Sequence, residues 1–355
     1  NNKLFYAFLL LWASLLINAF FSENFNNSIL RALGFVRFIF FVFAIKYYVS
    51  SNNYFYREKI FYFWTVVFFL VTLDLLFEFY FGFNTLGYSN DIPGRLSGYL
   101  NQELKIGGFY YGFILISLIF IYNKYKNLSL LYFLITIFLI TSFLIGERSN
   151  FIKICFILIL FLYFVDKKFI FKNLLFITLI FSLIFTLIYF NKDSKERFYD
   201  SLIKPIIVNL KFSKTLKYSQ YGAHYDAAIG IFKNYPVFGV GLKNFRHESG
   251  KSEYINKEFI FYQTRQTTHP HQIHFELLSE TGLFGYLSFI IFFGYYLRKN
   301  IKIQIKNGNL YHLSGILFVF TSFLPLLPSG SFFTTFGATI FWINFSVIEL
   351  FKDDH

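Results

Sequence analysis

Long apolar runs, rather than alternating apolar and polar positions, dominate the chain from end to end. A helix that crosses a bilayer needs about 20 mostly apolar residues. Ten runs meet or approach that length: 4–22, 30–50, 60–82, 106–122, 128–145, 150–166, 169–190, 275–297, 310–328 and 332–350. A membrane β-barrel would instead alternate apolar and polar residues. The pattern predicts an all-α, polytopic transmembrane helical bundle of about ten spans, with tight hairpins at 145–150 and 166–169.

The one long polar interruption, residues 191–274, predicts an extramembrane loop between spans seven and eight. We therefore expect three parts: transmembrane helices one to seven in 1–190, the loop in 191–274, and helices eight to ten in 275–355. Within the loop, residues 221–234 have the pattern of an amphipathic helix, which Pro236 ends. The charged stretch 243–257 is expected to form a lid or an acceptor-binding surface.

Cationic residues in the short connections predict the orientation of the spans, because cytoplasmic loops carry an excess of lysine and arginine. With the N-terminal end inside, the cytoplasmic connections hold Lys46, Arg57, Lys59, Lys124, Lys126, Lys167, Lys168, Lys172, Arg298, Lys299, Lys302 and Lys306. The opposite connections hold little beyond Arg95, Lys105 and Arg148. This bias places the long loop outside.

Composition supports a membrane protein and excludes other classes. Charged residues make up only 15% of the chain, whereas soluble domains contain about a quarter. The net charge of +13 does not indicate nucleic-acid binding, because the basic residues punctuate apolar runs rather than clustering on a polar face. The single cysteine, Cys155, lies in an apolar run, so neither a disulfide framework nor a cysteine metal site is expected. The chain contains no methionine and begins directly in an apolar run, so we expect an N-terminally incomplete piece whose first run is a span.

Three polar groups lie at the predicted outer ends of spans. They are Arg95-Leu96-Ser97-Gly98, Gly146-Glu147-Arg148-Ser149-Asn150, and the stretch 265–282. An arginine fork suits diphosphate oxygens, because its hydrogen bonds can be bidentate. Histidine titrates near neutral pH, so it can accept a proton from a hydroxyl nucleophile. These groups predict a site that binds an anion and moves a proton.

The third group carries most of the candidate chemistry. Pro270 suits a first helical turn, and a helix beginning there would place His271 and His274 on one face. Several alternatives remain open. Arginines at a membrane border are often anchors to lipid headgroups; three histidines within six residues could bind a metal; and Glu280 could pair locally. Gly239 and Gly241 fit a turn better than a phosphate cradle.

Two carboxylates in the third span, Asp74 and Glu78, lie one helical turn apart. Charged groups at membrane depth often mark an ion or proton pathway. The alternative is that Glu78 lies near the outer end and faces water or a neighbouring helix.

Several of these passages, in this order, resemble the O-antigen ligase and O-antigen polymerase superfamily of bacterial inner-membrane enzymes. Residues 225–245 are similar to its "helix, Asn/Asp-x-Pro, Gly-x-Gly, Asn-Phe" passage. His269-Pro270-His271-Gln272 followed by Glu280-Thr281-Gly282-Leu283-Phe284-Gly285 resembles its "His-Pro-His-Asn, then Glu-x-Gly-x-x-Gly" signature, with Gln272 in the usual place of asparagine. The passages around Arg95 and Arg148 look like its two earlier arginine segments.

The resemblance implies a metal-independent enzyme that moves a glycan from a polyprenyl-diphosphate carrier to an acceptor hydroxyl, with no cofactor. A ligase uses lipid A core as acceptor, and a polymerase uses another carrier-linked repeat unit; the sequence does not separate them. By position in the motifs, His271 would be the general base, Arg148 and Arg265 would bind diphosphate, and Glu280 would orient His271 or Arg265. The remaining expected substrate-binding residues are Arg95, His269, Gln272 and His274.

A transporter or flippase of lipid-linked oligosaccharide is the alternative from another class. It predicts discontinuous helices with polar residues near mid-membrane, and the spans show few such residues. A non-catalytic scaffold would leave the outer arginine and histidine groups unexplained.

Overall fold

The structure, a computed structural model, describes residues 2–51, 54–89, 92–101, 103–165, 170–209 and 212–352. It is helical, and no β-strand occurs within these ranges. The helices are α1 (Asn2–Phe20), α2 (Phe25–Ser51), α3 (Tyr54–Phe81), α4 (Ile106–Tyr125), α5 (Leu128–Leu144), α6 (Arg148–Val165), α7 (Ile170–Phe190), α8 (Lys192–Ser194), α9 (Lys204–Asn209), α10 (Phe212–Lys217), α11 (Gln220–Asn234), α12 (Phe245–Glu248), α13 (Ile273–Asn307), α14 (Leu310–Ser322) and α15 (Thr335–Phe351). A π-helix, Lys195–Ile203, connects α8 to α9.

Each of the ten predicted spans corresponds to a helix, which confirms the all-α fold class. Seven helices in the described part of the chain are long and apolar enough to cross a membrane: α1, α2, α3, α4, α6, α7 and α13. The other three, α5, α14 and α15, are apolar but shorter. The hairpin predicted at 166–169 lies outside the described residues.

Four predicted helix boundaries differ from the structure by five residues or more, two of them the starts of α2 at Phe25 and of α3 at Tyr54. Helix α14 ends at Ser322, whereas the prediction extended it to residue 328. It stops early because Pro325 lacks a backbone N–H and restricts the conformation of the residue before it. Helix α13 begins at Ile273 and extends to Asn307, ten residues beyond the predicted end at residue 297. The prediction ended where the apolar run ends, but the helix continues through the polar residues Lys299, Lys302 and Lys306.

The chain forms two compact units made of interleaved segments. The first unit comprises Asn1–Ile45, Val208–Lys306 and Ser322–Ser346. The second comprises Lys46–Ile207, Asn307–Thr321 and Val347–His355. The predicted loop 191–274 is therefore shared between the units, with most of it in the first.

Aromatic side chains form the core of the first unit. Trp342 of α15 is fully buried and lies 5.6 Å from the ring of Phe8 and 5.7 Å from that of Phe35. A smaller cluster lies under the loop, where α11 contributes Ala227, Ala228 and Ile231. Helix α11 confirms the predicted amphipathic helix: its Ser219 N-cap hydroxyl accepts a hydrogen bond from the Gly222 amide at 3.0 Å.

In the second unit, α3, α4 and α5 pack through stacked and edge-to-face rings. Phe68 lies 4.5 Å from Tyr110 and 4.9 Å from Phe138. Such pairs stabilise beyond simple area burial. The first two arginine groups follow α3 and α5 in the chain, so this packing holds together the helices that lead into them.

Helix α13 is broken at Gly282, whose φ of 60° and ψ of −168° are not helical. In a continuous helix, the amides of Leu283 and Phe284 would bond to the carbonyls of Ser279 and Glu280. Here the two amides bond instead to the carbonyls of Pro236 and Val237, at 2.8 and 3.0 Å. The freed carbonyls accept from the amides of Val240 and Gly241, at 3.0 and 2.8 Å.

The 236–241 segment thus replaces two broken helical hydrogen bonds with four new ones. A Cβ on Gly239 would lie 2.6 Å from the Glu280 backbone carbon, so only glycine allows this approach. The Gly-x-Gly passage is therefore a backbone docking element, in agreement with the turn interpretation.

Candidate active site

The segment leading into α13 turns sharply at His271. His271 has a φ of 58°, in the left-handed region, and its carbonyl accepts a hydrogen bond from the Ser329 amide at 2.8 Å. Gln272 acts as the N-cap: its Oε1 accepts from the amides of His274 and Phe275, at 2.8 and 3.1 Å. The prediction that the helix begins at Pro270 was wrong, because Gln272 caps it two residues later.

Imidazole rings from two parts of the loop gather around His271. The ring centroid of His271 lies 4.1 Å from that of His269 and 5.2 Å from that of His224, and the His224 ring is stacked on it. Tyr221 lies at 5.8 Å. No side-chain hydrogen bond of His271 occurs among the described residues, so its ring nitrogens are open to a ligand. In the described part of the chain, no group of three or more His, Cys, Asp or Glu is arranged to hold a metal ion.

His224 was not predicted from the sequence. It is buried on α11, and its Nε2 lies 3.0 Å from the Thr264 carbonyl oxygen. A signal was present, because residue 224 shares the helical face of Ala227, Ala228 and Ile231. A histidine on the buried face of an amphipathic helix could have been noted for that reason.

Burial keeps these imidazoles neutral. Burial, with a smaller contribution from the neighbouring His224, lowers the pKa of His271 to about 4. Burial, followed by the nearby His271 and Lys243, lowers the pKa of His269 to about 3. Both rings are therefore uncharged at neutral pH and able to accept a proton.

Arg265 is buried, with 9% of its surface exposed, and its guanidinium bonds to backbone carbonyls. Its Nη1 donates to Tyr262, and its Nη2 donates to Gly250 and Lys251, at 3.2, 2.9 and 3.1 Å. The Nε–H has no hydrogen-bond partner among the described residues. Arg265 thus fixes the shape of the loop and keeps one buried N–H available.

His274 is engaged on both sides of its ring. Its Nε2 lies 2.8 Å from the Phe323 carbonyl oxygen and its Nδ1 3.2 Å from the Tyr286 hydroxyl. The expected substrate-binding role would need one of these contacts to break. Gln272 is likewise buried and uses its side chain to cap α13.

Glu280 was expected to orient His271 or Arg265, and the structure gives its carboxylate a different partner. Its Oε2 accepts from the Lys243 amide at 2.8 Å, and none of its hydrogen bonds within the described ranges goes to His271 or Arg265. Lys243 is itself buried, with 6% of its surface exposed.

The expectation that 243–257 is a surface lid was wrong for its first part. Lys243, Asn244, Phe245, Glu248 and Ser249 are buried because the segment packs under α11 and against the Gly-x-Gly passage. Exposed residues begin mainly after Gly250.

In the second unit, the first two arginine groups contact each other. The Leu96 amide donates to the Ile145 carbonyl at 3.2 Å, and Arg95 Nη2 lies 3.2 Å from Glu147 Oε1. Glu147 also accepts from the Gly107 amide at 3.1 Å. The first two arginine groups therefore lie side by side in the second unit.

Arg148 and Arg197 link this pair of groups to the π-helix. Arg148 Nη1 donates to the carbonyls of Arg197 and Ser201, at 3.4 and 3.1 Å. Arg197 Nε donates to the Gly146 carbonyl at 2.5 Å. The sequence reasoning missed Arg197, because the polar stretch after α7 contains several basic residues and no motif singles one out.

The two carboxylates of α3 accept hydrogen bonds from the segment that follows the helix. Glu78 accepts from the amides of Ser97 and Gly98, at 3.0 and 2.7 Å. Asp74 accepts from the amide and hydroxyl of Thr85, at 2.9 and 2.6 Å. Glu78 thereby anchors the Arg95 group, and both carboxylates are buried beneath the segment that follows α3.

The segment 130–290 contains the Arg148 group, the histidine cluster and Glu280, and it matches the family model described as O-antigen ligase. This segment belongs to the O-antigen ligase family. The resemblance to the O-antigen ligase and polymerase superfamily is thus confirmed over these residues, which make up somewhat less than half of the chain. No curated protein matches the chain.

The match of residues 130–290 to the O-antigen ligase family model, together with the apolar helices, supports a multi-pass membrane protein with a general role in glycan transfer. The broken helix α13 bears on the transporter alternative. The four backbone groups freed at Gly282 all bond within the protein, so the break leaves none of them to bind a transported substrate.

Proposed function

We propose that the chain transfers a glycan from a polyprenyl-diphosphate carrier to an acceptor hydroxyl on the outer face of the bacterial inner membrane. One observation carries this proposal. Within the O-antigen ligase segment, His271 is a neutral imidazole that is turned out of the helix and has no side-chain hydrogen bond in the described structure. A group in this state can deprotonate an acceptor.

The proposed step is a direct displacement. The acceptor hydroxyl oxygen attacks the anomeric carbon of the donor sugar, and His271 takes the hydroxyl proton. The bond from that carbon to the diphosphate oxygen breaks, and polyprenyl diphosphate leaves with the electron pair. A diphosphate near His271 would raise the pKa of the imidazole and strengthen it as a base.

In this proposal, arginine side chains stabilise the negative charge on the diphosphate leaving group. We propose that Arg148 and Arg265 bind diphosphate, with Arg95 assisting. Support comes from the guanidinium fork, which matches phosphate oxygens, and from the buried Nε–H of Arg265. Glu147 would hold Arg95 in place through their ion pair. Neither a metal nor a cofactor is needed for this scheme.

The acceptor is proposed as a hydroxyl of lipid A core or of a second carrier-linked repeat unit. The first would make the protein a ligase, and the second would make it a polymerase. The long loop is proposed to be periplasmic, which follows from the distribution of lysine and arginine in the short connections.

Purified protein in proteoliposomes, supplied with a polyprenyl-diphosphate glycan and each acceptor in turn, tests the proposal. We expect glycan joined to one acceptor, and loss of this product in His271→Ala and Arg148→Ala. The exposed His247 and Arg298 provide matched controls, since His247→Ala and Arg298→Ala should retain activity. Movement of the carrier-linked glycan across the bilayer without any joined product would favour the transporter alternative.

A further inference from the structure

Lys243 and His271 are two of the three described non-glycine residues of the first unit with left-handed backbones, at φ of 63° and 58°; the third is Leu326. Side chains other than glycine rarely adopt this conformation, and it persists only where surrounding contacts hold it. The contacts that hold these two residues belong to one buried network.

The network begins at the backbone of Lys243. Glu280 Oε2 accepts from the Lys243 amide at 2.8 Å, and the Glu280 carbonyl accepts from the Gly241 amide at 2.8 Å. Glu280 thereby fixes the turn that directs the Lys243 side chain inward, where Lys243 is buried.

The side chain of Lys243 then meets Glu276 through Ser331. Lys243 Nζ donates to the Ser331 hydroxyl, which in turn donates to Glu276 Oε1. Nζ and Oε1 are 3.9 Å apart, and Glu276 Oε2 accepts from the Phe332 amide at 2.8 Å. The ion pair therefore binds the loop between α14 and α15 at two successive residues.

The same loop also contacts His271, through Ser329, which lies two residues before Ser331. The Ser329 amide donates to the His271 carbonyl at 2.8 Å. Glu276 lies in the first turn of α13, directly after the Gln272 cap. His271 is thus held from both sides, by the helix that carries Glu276 and by the loop that Glu276 and Lys243 bind.

We propose that Lys243 and Glu276 are positioning residues for His271, acting through Ser331 and the Ser329 amide. The proposal rests on the proposed function of His271 as the base. A buried ion pair costs desolvation and is often no more stabilising than an apolar pair of the same shape. Its value here lies in fixing the His271 backbone, since small displacements of a reacting group cost large factors in rate.

A double-mutant cycle on the full chain separates positioning from stability. Lys243→Met or Glu276→Gln alone leaves one buried charge without its partner and should lower Tm by about 5 °C or more. The double variant K243M/E276Q removes both members of the ion pair, keeps the hydrogen bond from the residue 243 amide to the buried Glu280 carboxyl, and should recover most of that loss. Its kcat should nevertheless stay roughly 10- to 100-fold below the wild-type value, with KM for the donor within about twofold.

Ser331→Ala provides a second variant that keeps both charges. It removes the hydroxyl between Lys243 and Glu276, and we expect a fall of at least about fivefold in kcat with a small change in Tm. A control is the buried Glu349 of the second unit, whose Oε2 lies 2.6 Å from Lys352 Nζ and 3.1 Å from Lys46 Nζ. The variant K46M/K352M/E349Q, which removes this whole ion group, should keep the wild-type kcat.

Recovery of both Tm and kcat in K243M/E276Q, or an unchanged kcat in Ser331→Ala, would show a purely structural pair and overturn the inference alone. A wild-type protein without transfer activity, or an active His271→Ala variant, would overturn the proposed function and this inference together.

Discussion

The ring of His271 contacts those of His224 and His269, and each of the three is neutral because burial lowers its pKa. Unfolding releases these rings to water, where histidine titrates near pH 6.5. Below that pH the unfolded chain binds protons that the folded chain does not bind. The contribution of these rings to stability is therefore complete above pH 6.5 and is lost as the pH falls toward about 4 and about 3.

Acid should accordingly destabilise the protein through this cluster. We expect Tm in detergent to fall between about pH 7 and about pH 4.5, and His269→Asn to fall less steeply than the wild type. The exposed His247 offers a control, and His247→Asn should keep the wild-type slope. Parallel curves for wild type and His269→Asn would contradict the assignment of the acid sensitivity to the cluster.

Motifs were sufficient to single out His271, Arg265 and Glu280 as candidates, but not the residues that hold them. Lys243 looks solvated in the sequence because it begins a charged stretch, and its burial depends on Ser331, 88 residues later. Glu276 gave a local signal, because a carboxylate in an apolar run is costly unless it is paired. Contacts between residues so far apart in the sequence cannot be predicted from the local pattern of apolar and polar residues.

Among the structural elements, α13 differs most from its prediction, because the apolar pattern continues across Gly282 while the helix does not. The break depends on the 236–241 segment, whose backbone replaces the lost hydrogen bonds. The positions of the spans followed from apolar length alone. The docking of a loop into a helix depends on backbone groups, which every residue type shares, and so leaves little trace in the sequence.

Substitution at the break should be severe. A Cβ at Gly282 would lie 2.4 Å from the Val237 carbonyl oxygen, and the φ of 60° would strain any side chain. We expect Gly282→Ala to destabilise the protein by about 2 kcal/mol or more and to reduce transfer activity, measured by thermal unfolding and by the proteoliposome assay. Gly294 of the same helix has open space around its Cβ position, so Gly294→Ala should be close to neutral. Equal stability of the two variants would show that the break is not required.

For the whole molecule, the distribution of lysine and arginine predicts which connections lie on which side of the membrane. The apolar helices alone do not predict this. With Cys155 replaced by serine, a cysteine at the exposed Lys257 should react with a membrane-impermeant maleimide in spheroplasts. A cysteine at the exposed Lys302 should react only after the membrane is permeabilised. Labelling of both from the same side would show that the predicted topology is wrong.

The interleaving of the first unit has a consequence for its biosynthesis. Asn18 and Ser28, near the α1–α2 turn, are buried by contacts with Phe238, Glu280 and Leu242. Between the segments lie residues 46–207, whose translation takes roughly 10–30 s at about 5–20 residues per second. The ribosome must therefore deliver α1 and α2 long before their partners exist. During that interval Asn18 and Ser28 are without the chain segment that buries them, and a nascent chain stalled before Ser329 would still lack the loop that secures His271.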